Sequence, residues 1–478
     1  MDIYSKKDLE VFNKNIKSII KKVKKKSQTI LEPTKKEIEN AQKIIIKYIK
    51  EKKRKVYGGT ALNEIIRYKN KNDVFYDDEV DLKDWDIYSP NPVEDIVNVC
   101  NILEDKKFKY VTGSEAQHEG TFSVFVHFEN VLDISYVPYN IYKKIPFIEI
   151  DKIIYTHPDF SRIDTFRMFT DPLTSYEQRL EKQFNRFLIL EKYFGVKKIN
   201  DRLLIKNKKD NNFEINEVLD IVHSYLINNN KAIIFDLYAY NYYLKESGIL
   251  KNTKKFKIID IPYYQFLSID YDNDVKNLCN LLNNKFPNKI SATEFYPLFQ
   301  FTGENVLIMY KDFPIAHIYH HNNICIPYQE VEPVKYHGNK VKYSNNDFIT
   351  VGTFDVILLM TMILWFNERV MGNKELMYSY KIMLSHLVEI RKHYFKKKNL
   401  TIIDKSPFQE FNILCKGKTI NTKLKSFLKI QKKMKDKKGP YRWKYDPRGD
   451  RTFKRLSFKN ISGKIILNSS DLKNHCKK

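Results

Sequence analysis

Five cysteines in 478 residues are few, and they lie far apart, at Cys100, Cys279, Cys325, Cys415 and Cys476. None has C-x-x-C spacing, so no structural zinc site is visible, and the odd, scattered set suits a reducing compartment. Long apolar runs are also missing. The longest, from Val356 to Phe366, is too short to span a bilayer. The opening M-D-I-Y-S-K-K-D has no apolar segment of the kind that directs secretion. These absences predict a soluble intracellular protein with no membrane partner. Acidic residues fall short as well: 58 Asp and Glu face 83 Lys and Arg, for a formal net charge of +25. Such a surplus points to a polyanionic partner. A hydrophobic fraction of 42% argues for a folded chain, long enough for two or three domains.

The stretch from Val56 to Asp133 is where chemistry is written most plainly. It opens V-Y-G-G-T-A-L-N-E-I-I, passes through D-L-K-D-W-D-I-Y-S and ends in V-L-D-I-S-Y-V. Strand side chains alternate faces, so Asp84 and Asp86 point one way while Trp85 and Ile87 point into a core. Two carboxylates on one face can bridge a pair of divalent ions, Mg2+ or Mn2+, about 4 Å apart, as metal-assisted nucleotidyl transfer requires. Gly58 and Gly59 let backbone approach a triphosphate, and Thr60 begins a helix whose first amides favour anions. Asp133 is the one charged residue in an apolar strand, a costly position unless it has a partner such as a metal. Alone, a Gly-Gly before a helix is usually only a turn, and Asp-x-Asp is as common at exposed strand ends as in metal sites. The weight lies in their conjunction and order.

That order resembles the DNA polymerase beta-like nucleotidyltransferases. More closely, Y-G-G-T-A-L-N with W-D-I-Y-S and V-L-D-I-S-Y resembles the poly(A) polymerase catalytic subunits of large cytoplasmic DNA viruses, of the poxvirus and mimivirus type, firmly over 51 to 190. The resemblance implies that Asp84 and Asp86 are catalytic metal ligands, Asp133 the third ligand, and Gly58 and Gly59 the triphosphate turn. It implies AMP transfer from ATP to the 3'-hydroxyl of single-stranded RNA, with two metal ions, in the cytoplasm of an infected cell (its viral factory) or packaged in the virion. A homodimer, as in the mimivirus type, is expected over a separate partner subunit. Another terminal nucleotidyltransferase or an oligoadenylate synthase would share the same triad. An RNA-binding processivity or scaffold subunit with a decayed site is the reading from a different class.

Residues 1–50 carry helical periodicity in Leu9, Phe12, Ile16, Ile19 and Ile20, then the run K-K-V-K-K-K, then a second helix after Pro33. The plain reading of those lysines is a solvated face, with phosphate contact as the alternative. Past Asp133, the helix S-Y-E-Q-R-L-E-K-Q-F-N-R-F-L-I-L places Arg179, Lys182 and Arg186 on one stripe. The superfamily commonly lends a cation to the triphosphate from such a helix, which implicates Lys182. Glu177 and Glu181 nearby leave open an ordinary salt-bridged surface.

The middle of the chain repeats the beginning. I-I-F-D-L-Y-A-Y-N at 233–241 aligns with K-V-Y-G-G-T-A-L-N at 55–63, matching Ala61 to Ala239 and Asn63 to Asn241. With the offset changed by one, 81–106 runs without gaps against 260–285 and shares eight residues, Ser89 with Ser268, Asp95 with Asp274 and Cys100 with Cys279 among them. This reads as a whole-domain duplication, its chemistry gone, with coincidence in an Asn- and Lys-rich chain as the alternative. Asp236 and Leu237 stand under the glycines, Tyr263 and Gln265 under Asp84 and Asp86, and Ala316 or His317 under Asp133. The opening strands of this copy are expected at Ile233 to Phe235 and Tyr263 to Ser268. His317, His320 and His321 with Cys325 could suggest a metal, but on a strand they alternate faces.

Two long helices are predicted between Thr353 and Lys398, the first apolar nearly all round and so buried. The tail then turns basic. Between Lys416 and Lys459, 17 Lys and Arg face three Asp, a surplus of 14 in 44 residues, interleaved with aromatics. Cations for phosphates and rings for bases suit single-stranded RNA, with Lys432, Lys433, Arg442, Trp443 and Arg448 as candidate contacts and a solubilising tail as the alternative. G-P-Y-R-W-K-Y-D-P-R-G reads as a loop. The expected fold is α+β, a polymerase beta-like mixed sheet with helices plus a degenerate second lobe. The expected partition is a helical segment over 1–50, a catalytic domain over 51–190, the degenerate domain over 191–400 and a basic tail over 401–478.

Overall fold

This computed structural model describes residues 3–203, 213–252, 255–420, 422–436, 443–449 and 464–467, apart from Asp78, Val80 and Glu119. They group into two compact units, one of 1–161 with 422–459 and one of 162–421 with 460–478.

The first unit begins with α1 (Lys6–Ile30) and α2 (Lys35–Lys52). Both start on capping boxes, Ser5 with Asp8 and Thr34 with Glu37, in which side chain and backbone satisfy each other's first-turn donors. α2 buries Ile38, Ala41, Ile45, Tyr48 and Ile49, the i, i+3, i+7 stripe of an amphipathic helix. Then come β1 (Lys55–Tyr57), α3 (Gly58–Lys69), β2 (Asp86–Ser89) and α4 (Pro92–Asp105). The meander β3 (Thr112–Glu115), β4 (Thr121–Val126) and β5 (Glu129–Tyr136) follows, and after it α5 (Tyr139–Lys144), β6 (Phe147–Ile150) and β7 (Ile153–Thr156); α6 (Pro158–Phe169) starts in this unit, which ends at Ser161. The sheet runs β3-β4-β5-β2-β1-β7-β6, with β2 parallel to β5 and β1 antiparallel to β2.

The second unit contains α7 (Tyr176–Phe194), α8 (Phe213–Leu226), β8 (Ala232–Ile234), α9 (Asp236–Ser247), β9 (Tyr264–Ser268) and α10 (Tyr271–Lys285). It continues through β10 (Ile290–Phe295), β11 (Asn305–Tyr310), β12 (Phe313–His320), β13 (Ile326–Val331) and β14 (Ile349–Gly352), then α11 (Phe354–Met371), α12 (Lys374–Lys398) and β15 (Cys415–Lys416). The expected opening strands are present, β8 one residue earlier at both ends and β9 starting one residue later. α11 is buried from Phe354 to Phe366, as its all-round apolar sequence requires.

The sheet of this unit runs β10-β11-β12-β9-β8-β14-β13, the first unit's order strand for strand. Pair directions repeat too: β9 is parallel to β12, β8 antiparallel to β9, and β8 parallel to β14 as β1 is to β7. The ladder irregularity between Val124 and Phe125 recurs between Ile308 and Met309. Buried polar contacts recur as well. Tyr48 and Ser89 donate hydroxyls to Asp95; Tyr225 and Ser268 donate theirs to Asp274. Asn63 accepts from the Phe75 amide and Asn241 from the Ile259 amide, each Asn fully buried. The duplication is therefore a duplicated domain, and the identities that remain are residues that hold it together.

Two readings change. Cys325 and Cys415 form a disulfide across 90 residues, joining the segments that pair as β13 and β15; sequence separation concealed the pair, and the scattered set is not wholly unpaired. The supposed loop around Trp443 contributes a short strand. After α13 (Thr422–Lys435), β16 (Lys444–Tyr445) adds to the edge of β3, with Trp443 edge-on against Phe122. β17 (Lys464–Leu467) adds to β10 in the same manner. Edge pairing depends on backbone groups, so composition does not announce it.

Candidate active site

The β1, β2, β5 and β4 ladder brings the motif together in one row. Tyr57 pairs with Asp86, Asp86 with Asp133, and Asp133 with Ser123. Cross-strand partners share a face, so both carboxylates project from the same side of the sheet. Trp85 and Ile87 are buried on the other side, as alternation demands. Asp84 is exposed and lies just ahead of β2, two residues from Asp86 and so in phase with it.

Gly58 begins α3 with φ +73°, left-handed backbone that an L side chain rarely adopts. A Cβ there would stand 2.6 Å from Asp86 Oδ2. Glycine is thus required twice, for its dihedral and for the carboxylate beside it. Tyr57, the N-cap, provides no capping side chain to the first-turn amides of Gly58, Gly59 and Thr60, an arrangement that suits an anion. Thr60 is fully buried and donates its hydroxyl to the Asp84 carbonyl at 2.5 Å, tying the start of α3 to the approach of β2.

Asp133 is half-buried rather than sealed in the core, and it has protein partners. Ser123 Oγ donates to its Oδ1 at 2.5 Å and Asn130 Nδ2 to the same oxygen at 2.9 Å. Its amide donates to the Trp85 carbonyl at 2.8 Å, which locks the two carboxylate strands in register. Sequence reading missed Ser123 and Asn130. The signal for Ser123 was the polar residue at alternate positions of T-F-S-V-F-V; Asn130 stands outside that run, in E-N-V-L-D.

Among the described residues no three His, Cys, Asp or Glu side chains gather closely enough to make a metal cage of their own. Mg2+ is ordinarily held by one or two carboxylates completed by substrate phosphates. Asp86 and Asp133, adjacent across two strands beside a glycine turn, are a donor set of that kind. The histidines at 317, 320 and 321 gather no metal set, and Cys325 is taken by its disulfide. Lys182 is exposed on α7, in the second compact unit. Lys432 is exposed on α13, and Arg448 is exposed and ion-paired to Asp446 at 2.7 Å. Trp443 packs on Phe122 and lies parallel to Tyr445. The Lys433 side chain and Arg442 lie outside the described residues.

In the second lobe the same positions fill themselves. Gln265 pairs with His317 where Asp86 pairs with Asp133, so His317 is the counterpart of the third carboxylate. Asp236 replaces Gly58 and keeps its left-handed turn at φ +61°. It is buried and accepts a hydrogen bond from Gln265 Nε2 at 2.5 Å. Burial pushes its carboxyl up to about 7. An acid now occupies the place of the Gly58 turn, and an amide the place of the Asp86 carboxylate.

A mixed sheet with paired strand carboxylates, opened by a glycine turn into a helix, defines a nucleotidyltransferase of the polymerase beta-like class. The family described as "Poly(A) polymerase catalytic subunit" matches residues 43–175, and that described as "APMV, Putative poly(A) polymerase, catalytic subunit, C-terminal" matches 189–474. A "Putative poly(A) polymerase catalytic subunit" of Acanthamoeba polyphaga mimivirus is 34% identical over 457 residues, 91% of this chain and 76% of that one. One from African swine fever virus (isolate Pig/Kenya/KEN-50/1950) is 31% identical over 177 residues, 36% of this chain and 37% of that one. The crystal structure of the Megavirus polyadenylate synthase superposes with a TM-score of 0.84 at 34% identity, covering 94% of this chain and 87% of that one. The chain belongs to the viral poly(A) polymerase catalytic subunit family, and it is a polynucleotide adenylyltransferase.

Proposed function

We propose that the chain adds AMP from ATP to the 3'-hydroxyl of single-stranded mRNA without a template, using Asp84, Asp86 and Asp133 as metal ligands. The observation that carries this reading is the Asp86 and Asp133 rung beside the Gly58 turn. Two bound divalent ions, Mg2+ or Mn2+, supply charge neutralisation on the triphosphate and lower the pKa of the attacking hydroxyl. The protein's own work is positioning. Gly58 and Gly59 admit the triphosphate to the start of α3, whose uncapped amides face its charge. Ser123 and Asn130 hold one oxygen of Asp133, which leaves Oδ2 for a ligand. The 3'-hydroxyl attacks the α-phosphate in line, pyrophosphate leaves, and no covalent enzyme intermediate is needed.

Lys182 is the proposed cation for the triphosphate, and Lys432, Lys433, Arg442, Trp443 and Arg448 the proposed RNA contacts. Residues 51–190 are read as the catalytic domain, 191–400 as its silent copy, with 1–50 and 401–478 as flanking segments. A homodimer and action in the cytoplasm of an infected cell are further parts of this proposal. No helix among the described residues is long and apolar enough to cross a membrane. The test is incubation with a labelled oligoribonucleotide and each of the four NTPs in turn. Extension by ATP, lost in Asp86→Ala, is expected. Extension by another NTP in preference to ATP would overturn the assignment of substrate.

A further inference from the structure

The β4–β5 hairpin turns on His127 and Phe128, both with left-handed backbone, at φ +50° and +67°. Asn-Gly suits such a turn, and a bulky side chain at positive φ is an outlier. Phe128 is nonetheless 78% exposed. Tyr110, at φ +54° and 50% exposed, stacks on it with ring centroids 5.2 Å apart and planes 24° from parallel. Two large rings thus stand in solvent on unfavourable backbone.

The second lobe shows that the fold does not require them. Its β11–β12 hairpin closes in the same way around Lys311 and Asp312. The Lys311 amide donates to the Lys289 carbonyl as the His127 amide donates to that of Lys109. Lys289 and Lys311 pair with Glu214 of α8 at 2.5 and 3.1 Å, and Glu37 of α2 lies within charge range of His127 and Lys109. Glu37 and Glu214 stand equally far ahead of the matched Tyr48 and Tyr225, so cations and acid are common to both lobes and belong to the fold. The rings are not common. Asp312 takes the place of Phe128, and Lys289 is followed directly by the buried Ile290.

We propose that Tyr110 and Phe128 form a stacking platform for one base of the RNA primer, upstream of its 3'-hydroxyl; this rests on the reading of the chain as an RNA-extending polymerase. Exposed aromatic faces stack bases of any sequence, which suits a template-independent enzyme. The two rings offer about the area of one base, whereas a stable protein interface buries about 800 Å² a side. Phe128 precedes Asp133 by five residues on the same hairpin, about 16 Å at the rise of a strand, so a primer ending at the carboxylates reaches the platform within a few nucleotides. Exposed Lys106, Lys107 and Lys109 stand beside the rings for phosphates, with Asp105 and Glu129 as the exposed acids of the same two segments. Arg448, paired with Asp446, is near enough to Glu104 and Tyr110 to feel both. With acids interspersed among the cations, stacking carries the contact.

The probe is an oligoadenylate primer carrying 2-aminopurine at one position at a time, whose fluorescence falls where that base stacks, titrated into the full chain. The test variant is Tyr110→Asn with Phe128→Asn. Asn accepts left-handed backbone, so the melting temperature should not fall. Kd for the oligoadenylate and KM for the primer are expected to rise about tenfold, while KM for ATP holds. The slope of log affinity against log salt should also hold, because no phosphate contact is removed. Quenching at one upstream position should vanish in the double variant and persist in Phe128→Tyr, which keeps a ring. Unchanged Kd and primer KM in the double variant, beside a parent that extends the primer with ATP, would overturn the platform and leave the polymerase reading standing. A parent that extends no primer would overturn both. A change in sedimenting mass on the double substitution would assign the rings to a second copy of the chain and would equally overturn the platform.

Discussion

Gly58 and Asp86 are in contact across the β1–α3 turn: a Cβ on Gly58 would lie 2.6 Å from Asp86 Oδ2, and the Gly58 φ of +73° is one that alanine resists. Gly58→Ala is therefore expected to displace the carboxylate by some tenths of an ångström. A misplacement of about 1 Å costs about 100-fold, so this smaller shift is expected to lower kcat by roughly tenfold. Single-turnover primer extension measures it. A kcat within twofold of the parent would show that Asp86 can move without cost.

Asp84→Ala, Asp86→Ala and Asp133→Ala should each reduce nucleotide addition by several orders of magnitude, since each removes charge stabilisation worth several kcal/mol. RNA affinity, measured separately by filter binding, should stay close to the parent's. Ser123→Ala should be milder, about tenfold in kcat, because Asn130 still donates to Asp133 Oδ1. Full activity in Asp133→Ala would remove it from the site.

The silent lobe has its own pH signature. Asp236 ionises near 3.8 when the chain is unfolded and near 7 when it is folded. Between those values the folded state binds more protons, so its contribution to stability, fully present below the unfolded value, is lost as pH rises, by at most about 1.4 kcal/mol per unit. Asp236→Asn keeps a neutral group, tolerates the left-handed turn and accepts from Gln265. The stability of the variant relative to the parent should therefore rise from pH 3.8 to about 7. His223, pushed down to about 4 by burial, destabilises the fold as pH falls, the opposite trend. It is common to both proteins and cancels in the difference. Urea titrations across that range, with a flat difference, would refute the assignment.

RNA binding by the basic tail is better tested by substitution than by truncation at Thr401. Phe408 is fully buried and packs against Tyr243, Phe354 and Tyr394, so its loss would cost about 3–5 kcal/mol of stability. Lys432→Gln removes an exposed charge from α13 without touching that core. The slope of log affinity against log salt should fall by about one. An unchanged slope would return α13 to solvated surface.

Some of this was decided locally and could be read from the chain alone. The glycine turn, the Asp-x-Asp phase and the third aspartate follow from alternation and backbone freedom, which act over a few residues. The duplication was legible for a related reason. Ser89, Asp95 and Asn63 persist as Ser268, Asp274 and Asn241 because each satisfies buried polar groups, a constraint that outlasts the loss of catalysis. Other features needed the third dimension. The Cys325 and Cys415 pair joins segments 90 residues apart, and β16 is recruited through backbone groups that every residue carries. Ser123 reaches Asp133 only once β4 has turned back on β5. Above all, the apolar stripe of α1 was plain in sequence, but that it faces outward was settled by where Lys21 and Lys25 find Asp77 and Glu79. Periodicity states that a helix has an apolar side; only the packed structure states what, if anything, covers it.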